Sequence, residues 1–127
     1  MTNSPGTWPC LTYADAPAAI RFLVDVLGFE ERAAHAGDGR EIAHAELRWP
    51  EGGGVMLGSP RSKGPDVPPG TGLVYVQTAD PDAVHARAVA AGAEILQPMT
   101  EQPYGSRECA VRDPEGVAWS FGTYGGE

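Results

Sequence analysis

Apolar residues recur along this chain in two rhythms, one of period two and one of helical spacing, and the order of the rhythms repeats once. Residues 7–13 alternate and read as a strand. Pro9 puts that strand near a sheet edge or at a strand start, because proline cannot donate to a ladder. Asp15 is placed to cap a helix, with Pro17 in its first turn. Ile20, Leu23, Val24 and Leu27 follow at helical spacing, and Gly28 supplies the stop. Residues 29–34, 40–49 and 55–59 read as three further strands, separated by Ala36-Gly37-Asp38-Gly39 and by Glu51-Gly52-Gly53-Gly54. Ile42, Ala43, Ala45 and Leu47 are the expected core positions of the third strand.

After residues 60–70, rich in Pro, Gly, Ser and Lys and read as a linker or mobile loop, the pattern restarts. Residues 73–78 form a strand. Asp80 caps a helix with Pro81 just inside it, carrying Val84, Ala88, Val89 and Ala91, and Gly92 stops it. Residues 94–99, 106–112 and 117–121 are three more strands. The last two are joined by Asp113-Pro114-Glu115-Gly116, where Asp accepts a bond from backbone two residues on, Pro presets its φ and Gly permits a positive one. Asp15 to Asp80 is a step of 65, Gly28 to Gly92 of 64 and Leu57 to Ser120 of 63. A near-constant step signals an internal duplication. The expected fold is therefore α+β, two tandem βαβββ modules forming a concave sheet. Module one spans about residues 7–59 and module two about 71–124, with the linker over about 60–70. Each helix covers one sheet face, and the concavity on the other is a natural ligand site.

Length and charge narrow the function. A chain of 127 residues buries enough surface for a stable core without staples. The formal net charge of −8, from 17 acidic and 9 basic residues, argues against a nucleic-acid partner. No apolar run approaches the roughly 20 residues that span a bilayer, so no membrane partner is expected. Met1 to Gly6 lack a basic stretch followed by an apolar one, so no export signal is expected and the protein is read as cytoplasmic. Cys10 and Cys109 do not make a disulfide framework and read as reduced, buried thiols.

Strand parity turns Trp8, Cys10, Thr12, Leu57, Leu73, Tyr75, Gln77 and Ser120, with His44 and Glu46, toward the concavity. That is an apolar and aromatic wall with a few polar handles, the composition of a small-molecule pocket. Trp49 and Tyr104 fall at hairpin positions and could close the rim. Trp119 and Phe121 read as helix-facing core. His44 and Glu46 share a face and could, with Glu108, make a metal site or an acid–base pair; the competing reading is the polar lining of a pocket. His35 lies by a turn and His85 on the second helix. No histidine is evidently placed to activate Cys10. The Gly52–Gly54 run lacks the Lys and Ser/Thr of a phosphate loop.

The motifs Leu11-Thr12-Tyr13-Ala14-Asp15 leading to Ile20 through Phe29, His44-Ala45-Glu46-Leu47, Asp82 through Ala93, and Arg112-Asp113-Pro114-Glu115-Gly116 with Trp119-Ser120 together resemble the vicinal oxygen chelate superfamily. Its members include glyoxalase I, extradiol dioxygenases, fosfomycin-modifying enzymes and bleomycin-type resistance proteins. The resemblance implies a homodimer and, in the enzymes, a divalent metal held by His or Glu from the first and last strands of each module. By motif register those places fall on Trp8, Leu73, about Leu57 and Ser120. Hard or borderline cations want imidazole, carboxylate or thiolate, so no metal and no cofactor is expected. The reading the resemblance favours is a metal-independent protein that sequesters a hydrophobic, aromatic small molecule such as an antibiotic. The alternative is a glyoxalase-like lyase, isomerase or dioxygenase with an off-pattern site.

Overall fold

The computed structural model describes residues 5–60, 65 and 67–127. Residues 61–64 and 66, within the expected linker, lie outside the described residues. The chain divides into two compact units, Met1–Gly70 and Thr71–Glu127. The first contains β1 (Cys10–Thr12), α1 (Ala16–Phe22), a π-helical turn (Leu23–Leu27), β2 (Glu30–Ala36), β3 (Ile42–Arg48) and β4 (Gly54–Gly58). Its sheet runs β1-β4-β3-β2, with β1 parallel to β4 and the other pairs antiparallel. The second contains β5 (Leu73–Gln77), α2 (Pro81–Ala90), β6 (Glu94–Glu101), β7 (Arg107–Arg112) and β8 (Ala118–Gly122), in the order β5-β8-β7-β6 with the same directions. The fold is α+β, one βαβββ module in each unit.

The helices begin and end where local chemistry dictates. Asp15 Oδ1 accepts from Ala18 N at 3.1 Å, and Asp80 Oδ1 from Ala83 N at 3.1 Å, each satisfying one of the donors a helix N-terminus leaves free. Gly28 and Gly92 stand at φ 101° and 75°, left-handed conformations that cost a side chain about 1 kcal/mol or more. The first helix departs from a plain α-helix at its end. Gly28 N bonds Leu23 O at 3.0 Å, a five-residue step.

Alternation along the strands sorts side chains to two faces. In the first unit Ala45, Leu47, Val55 and Leu57 are buried, as are Ala16, Ala19, Ile20, Leu23 and Leu27 of the helix. In the second Val111, Trp119 and Phe121 are fully buried, and α2 buries Val84 and Ala88 against β6, β7 and β8. Trp119 and Phe121 are core, as their parity implies.

Several expectations need correction. Leu57 faces the core: it lies opposite Leu11 and Ala45 and is only 4% exposed. Ile42 shares the parity of His44 and Glu46, and Ala43, at the end of the core face, is exposed. Trp49 closes no rim; its ring packs 5.0 Å from that of Phe29 and is buried. Val89 is exposed on α2. β1 is shorter than expected, because Pro9 leaves the ladder to begin at Cys10. Cys109 is buried, but Cys10 is exposed.

Candidate functional site

β-Register identifies the positions that correspond between the units. Met56 lies opposite Cys10 and Glu46, and Ser120 opposite Tyr75 and Ala110. Ser120 is thus the counterpart of Met56, and the step between strands is 64 rather than the 63 read from Leu57. A one-residue slip reverses every side chain of a strand, which is why Leu57 went to the core. By the same registers Cys10 corresponds to Tyr75, Gly58 to Gly122, and His44 to Glu108.

In the first unit these positions surround a hollow of about 310 Å³. Cys10 and Thr12 of β1, Met56 and Gly58 of β4 and His44 of β3 line it. Pro65 and Val67 bound it, and Leu57, though core, reaches its edge. The lining is thioether, methyl, thiol and hydroxyl with one imidazole, a mixture suited to an apolar molecule held by few polar contacts. His44 Nε2 lies 2.8 Å from Glu46 Oε2. The His35 ring stacks over His44 at 6.3 Å from the end of β2, beside the turn that follows it. Trp8 stands beside the hollow: its carbonyl accepts from Cys10 Sγ at 3.6 Å and its ring lies 4.8 Å from the Arg48 guanidinium. Gly54 gives that indole its place, since a Cβ there would come within 2.9 Å of it and 2.5 Å of Leu47 O. A second depression of about 410 Å³, by Asp15, Asp38 and Glu41, is crossed by the Arg40–Asp15 ion pair and offers charge where an aromatic ligand wants contact.

In the second unit the corresponding positions are filled. Leu73, Tyr75 and Gln77 stand on the outer face of β5, Leu73 being 70% exposed. Tyr75 Oη donates to Tyr124 O at 2.6 Å, and its hydroxyl is pushed up in pKa chiefly by burial. Tyr104 Oη donates to Glu108 Oε1 at 2.9 Å, and that carboxylate, by holding the phenol proton, raises the Tyr104 pKa. Ser106, 1% exposed, accepts from Tyr124 N at 3.0 Å. Tyr124 follows the last strand and is not marked by alternation, and Ser106, the first residue of the expected strand 106–112, stands just before β7.

The donor set can be tested against a divalent metal. The first- and last-strand places are Trp8 and Met56 in one unit, Leu73 and Ser120 in the other. Indole, thioether, isobutyl and hydroxyl do not fit a hard or borderline cation. Among the described residues no group of three or more His, Cys, Asp and Glu side chains is arranged to hold a metal ion.

The two thiols differ sharply. Burial pushes Cys109 up to about 11 from an ordinary 9.0, so it stays a thiol at neutral pH. Its folded pKa is raised, so its contribution to stability is complete below about 9 and is lost as pH climbs from there toward about 11. N-Ethylmaleimide at neutral pH is expected to label Cys10 within minutes and Cys109 only after denaturation. Intact-mass measurement checks this; two adducts on the folded chain contradict it.

Among the described residues, no helix is long and apolar enough to cross a membrane. A chain match covers residues 7–121 with the model of the Glyoxalase/Bleomycin resistance protein/Dioxygenase superfamily. An uncharacterized protein of Mycobacterium bovis is 32% identical over 126 residues, covering 93% of this chain and 82% of its own. Among solved structures, TioX from Micromonospora sp. ML1 is similar at 34% identity and a TM-score of 0.76, over 92% of this chain and 98% of that one. A lactoylglutathione lyase from Agrobacterium tumefaciens shares the fold at 22% identity and a TM-score of 0.70, over 91% and 90% of the two chains. The duplicated βαβββ topology, the shared registers and these matches have one conclusion: the chain belongs to the Glyoxalase/Bleomycin resistance protein/Dioxygenase superfamily.

Proposed function

We propose that this chain is a metal-independent binding protein for a hydrophobic, aromatic small molecule of the antibiotic kind, which it sequesters rather than transforms. The observation that carries the reading is the hollow over β1, β3 and β4, lined by the Met56 thioether where an enzyme of this superfamily would want a metal-ligating oxygen or nitrogen. Sequestration needs only mass action. A bound molecule is withheld from its target, and protection scales with protein concentration over Kd. Trp8, Thr12, His44 and Glu46 would contact or frame a ligand in the first unit, and Leu73, Tyr75, Gln77, Tyr104 and Ser120 are proposed as ligand-contacting residues of the second unit taken by itself. We place the protein in the cytoplasm as a homodimer, a state sedimentation velocity measures directly.

A second reading rests on the His44–Glu46 pair. A carboxylate 2.8 Å from an imidazole at the wall of a hollow is the geometry of a general base with its orienting partner. The double substitution His44→Ala with Glu46→Gln separates the two. A binder should keep its ligand within about tenfold, or ~1.4 kcal/mol. An acid–base enzyme should lose turnover by a factor of at least about 100. Titration of the purified protein with a panel of aromatic antibiotics, followed by tryptophan fluorescence and by mass spectrometry of the recovered compound, supplies both readouts. Stoichiometric binding with unchanged compound supports sequestration. Product formation that disappears in the double variant overturns it.

A further inference from the structure

The two units treat one place in the module in opposite ways. In the first, among the described residues, Cys10, Met56, Gly58 and His44 line a hollow, and Pro65 and Val67 bound it. In the second, the segment after β8 occupies the corresponding place. Thr123 extends the ladder for one residue: its N bonds Arg107 O at 3.3 Å, and its Oγ1 accepts from Arg107 N at 3.1 Å. Tyr124 then places its carbonyl on Tyr75 Oη at 2.6 Å and its N–H on Ser106 Oγ at 3.0 Å. Its ring meets Tyr104 edge-on at 5.9 Å, and Tyr104 in turn is held by Glu108. Gly125 lies against Gln77 so closely that a Cβ there would come within 2.5 Å of Gln77 Nε2. Gly122 makes the floor: a Cβ on it would meet Glu108 Cγ at 2.6 Å and Tyr75 Oη at 2.8 Å.

We propose that residues Thr123–Gly126 are a tethered occupant of a second binding site, and that this site accepts an aromatic ring next to a peptide-type carbonyl and N–H whenever the segment leaves. The site supplies what such a ligand needs: a phenol donor from Tyr75 for the carbonyl, a hydroxyl acceptor from Ser106 for the N–H, and the Tyr104 ring for an edge-on aromatic contact. The contacts of the segment are few, and Tyr124 is 40% exposed, so it is held by a handful of polar bonds and one ring pair rather than by core burial. A tethered segment competes at a high effective concentration, and a free ligand sees its affinity reduced by the fraction of time the site is open. The proposal does not depend on the hollow of the first unit binding anything.

The test uses the full chain and a peptide of the segment's own sequence, acetyl-Thr-Tyr-Gly-Gly-amide, titrated into isotope-labelled protein and followed by amide NMR. Tyr124→Ala keeps the backbone, removes the ring contact and alters an exposed side chain, so the fold is retained. Loss of the ring pair leaves the two main-chain bonds but loosens the segment, so the peptide should bind that variant roughly two- to tenfold more tightly than the unaltered chain. The shifts should fall on Ser106, Gly122 and Gln77. Adding Ser106→Ala to Tyr124→Ala should weaken the peptide again by roughly threefold or more, the loss of one neutral hydrogen bond. Equal affinity for the unaltered and Tyr124→Ala chains overturns the proposal, as does the absence of any binding. Shifts confined to Cys10, His44 and Gly58 also overturn it, because they place the peptide in the hollow of the first unit, and they leave the sequestration reading standing.

Discussion

Asp113→Asn is expected to destabilise the folded chain by about 3 kcal/mol, lowering the midpoint of thermal unfolding by roughly 10 °C. One carboxylate organises the whole final hairpin. Asp113 Oδ1 accepts from the backbone N–H groups of Glu115, Gly116 and Val117, each at 3.0 Å. Oδ2 accepts from Trp119 Nε1, also at 3.0 Å. The residue is 4% exposed and Trp119 is fully buried. Asparagine keeps the shape but has one acceptor oxygen. If that oxygen serves the three backbone donors, the amide NH2 faces the indole N–H, and a buried donor loses its acceptor. Turning the amide over abandons the three backbone groups instead. The cost of an unmet buried donor, about 1–3 kcal/mol, adds to the loss of charge assistance, about 1 kcal/mol or more. Differential scanning calorimetry checks the size of the effect. A fall under about 3 °C would mean that the turn is held by its backbone alone.

Thr12→Trp is expected to lower affinity for any ligand of the first unit's hollow by about a hundredfold, roughly 2.7 kcal/mol, while leaving thermal stability within about 1 kcal/mol. Thr12 lies on β1, half-buried, at the wall of the hollow. An indole there takes up much of a space of about 310 Å³ without entering the core, since Leu11 and Tyr13, its neighbours in sequence, carry the opposite parity. Isothermal titration with a compound that binds the unaltered protein gives the affinity, and calorimetric melting gives the stability. Unchanged affinity with an intact fold would move the ligand away from the hollow and remove the main support for sequestration there. Alkylation of Cys10 blocks the same space from the neighbouring position and should have the same sign.

Much of the fold was legible because its signals are local. Asp15 and Asp80 satisfy N–H groups three residues on, whatever surrounds them. Gly28 and Gly92 stop helices because a left-handed residue ends the bond pattern by itself. The Asp113 turn needs only its own four residues and the donors that follow. The repeat was visible for the same reason: two copies of a module carry the same local punctuation at nearly the same step.

The site was legible only in part, and the misses share a cause. Cys10, Thr12 and His44 line the hollow of the first unit, and Glu46 joins His44 through its 2.8 Å contact. Leu57 lies in the core instead, because Gly52 and Gly53 precede β4, Gly54 opens it, and together they give parity no anchor; the ladder with β1 and β3 sets the register, and a slip of one residue sends the side chain to the core. Trp49 was taken by Phe29, a partner twenty residues away. His35 was placed against His44 by the β2–β3 ladder. Tyr124 lies beyond the last periodic segment, and it meets Ser106 only because β7 and β8 pair. What the sequence determined by itself was the punctuation of two βαβββ modules and the apolar stripe of each. The tertiary structure decided which residue of a strand faces the core, which aromatic rings are consumed by packing, and which of two equivalent places in the modules stays open. Those outcomes depend on strand pairing between residues far apart in the chain, and pairing energy is not written in any single stretch.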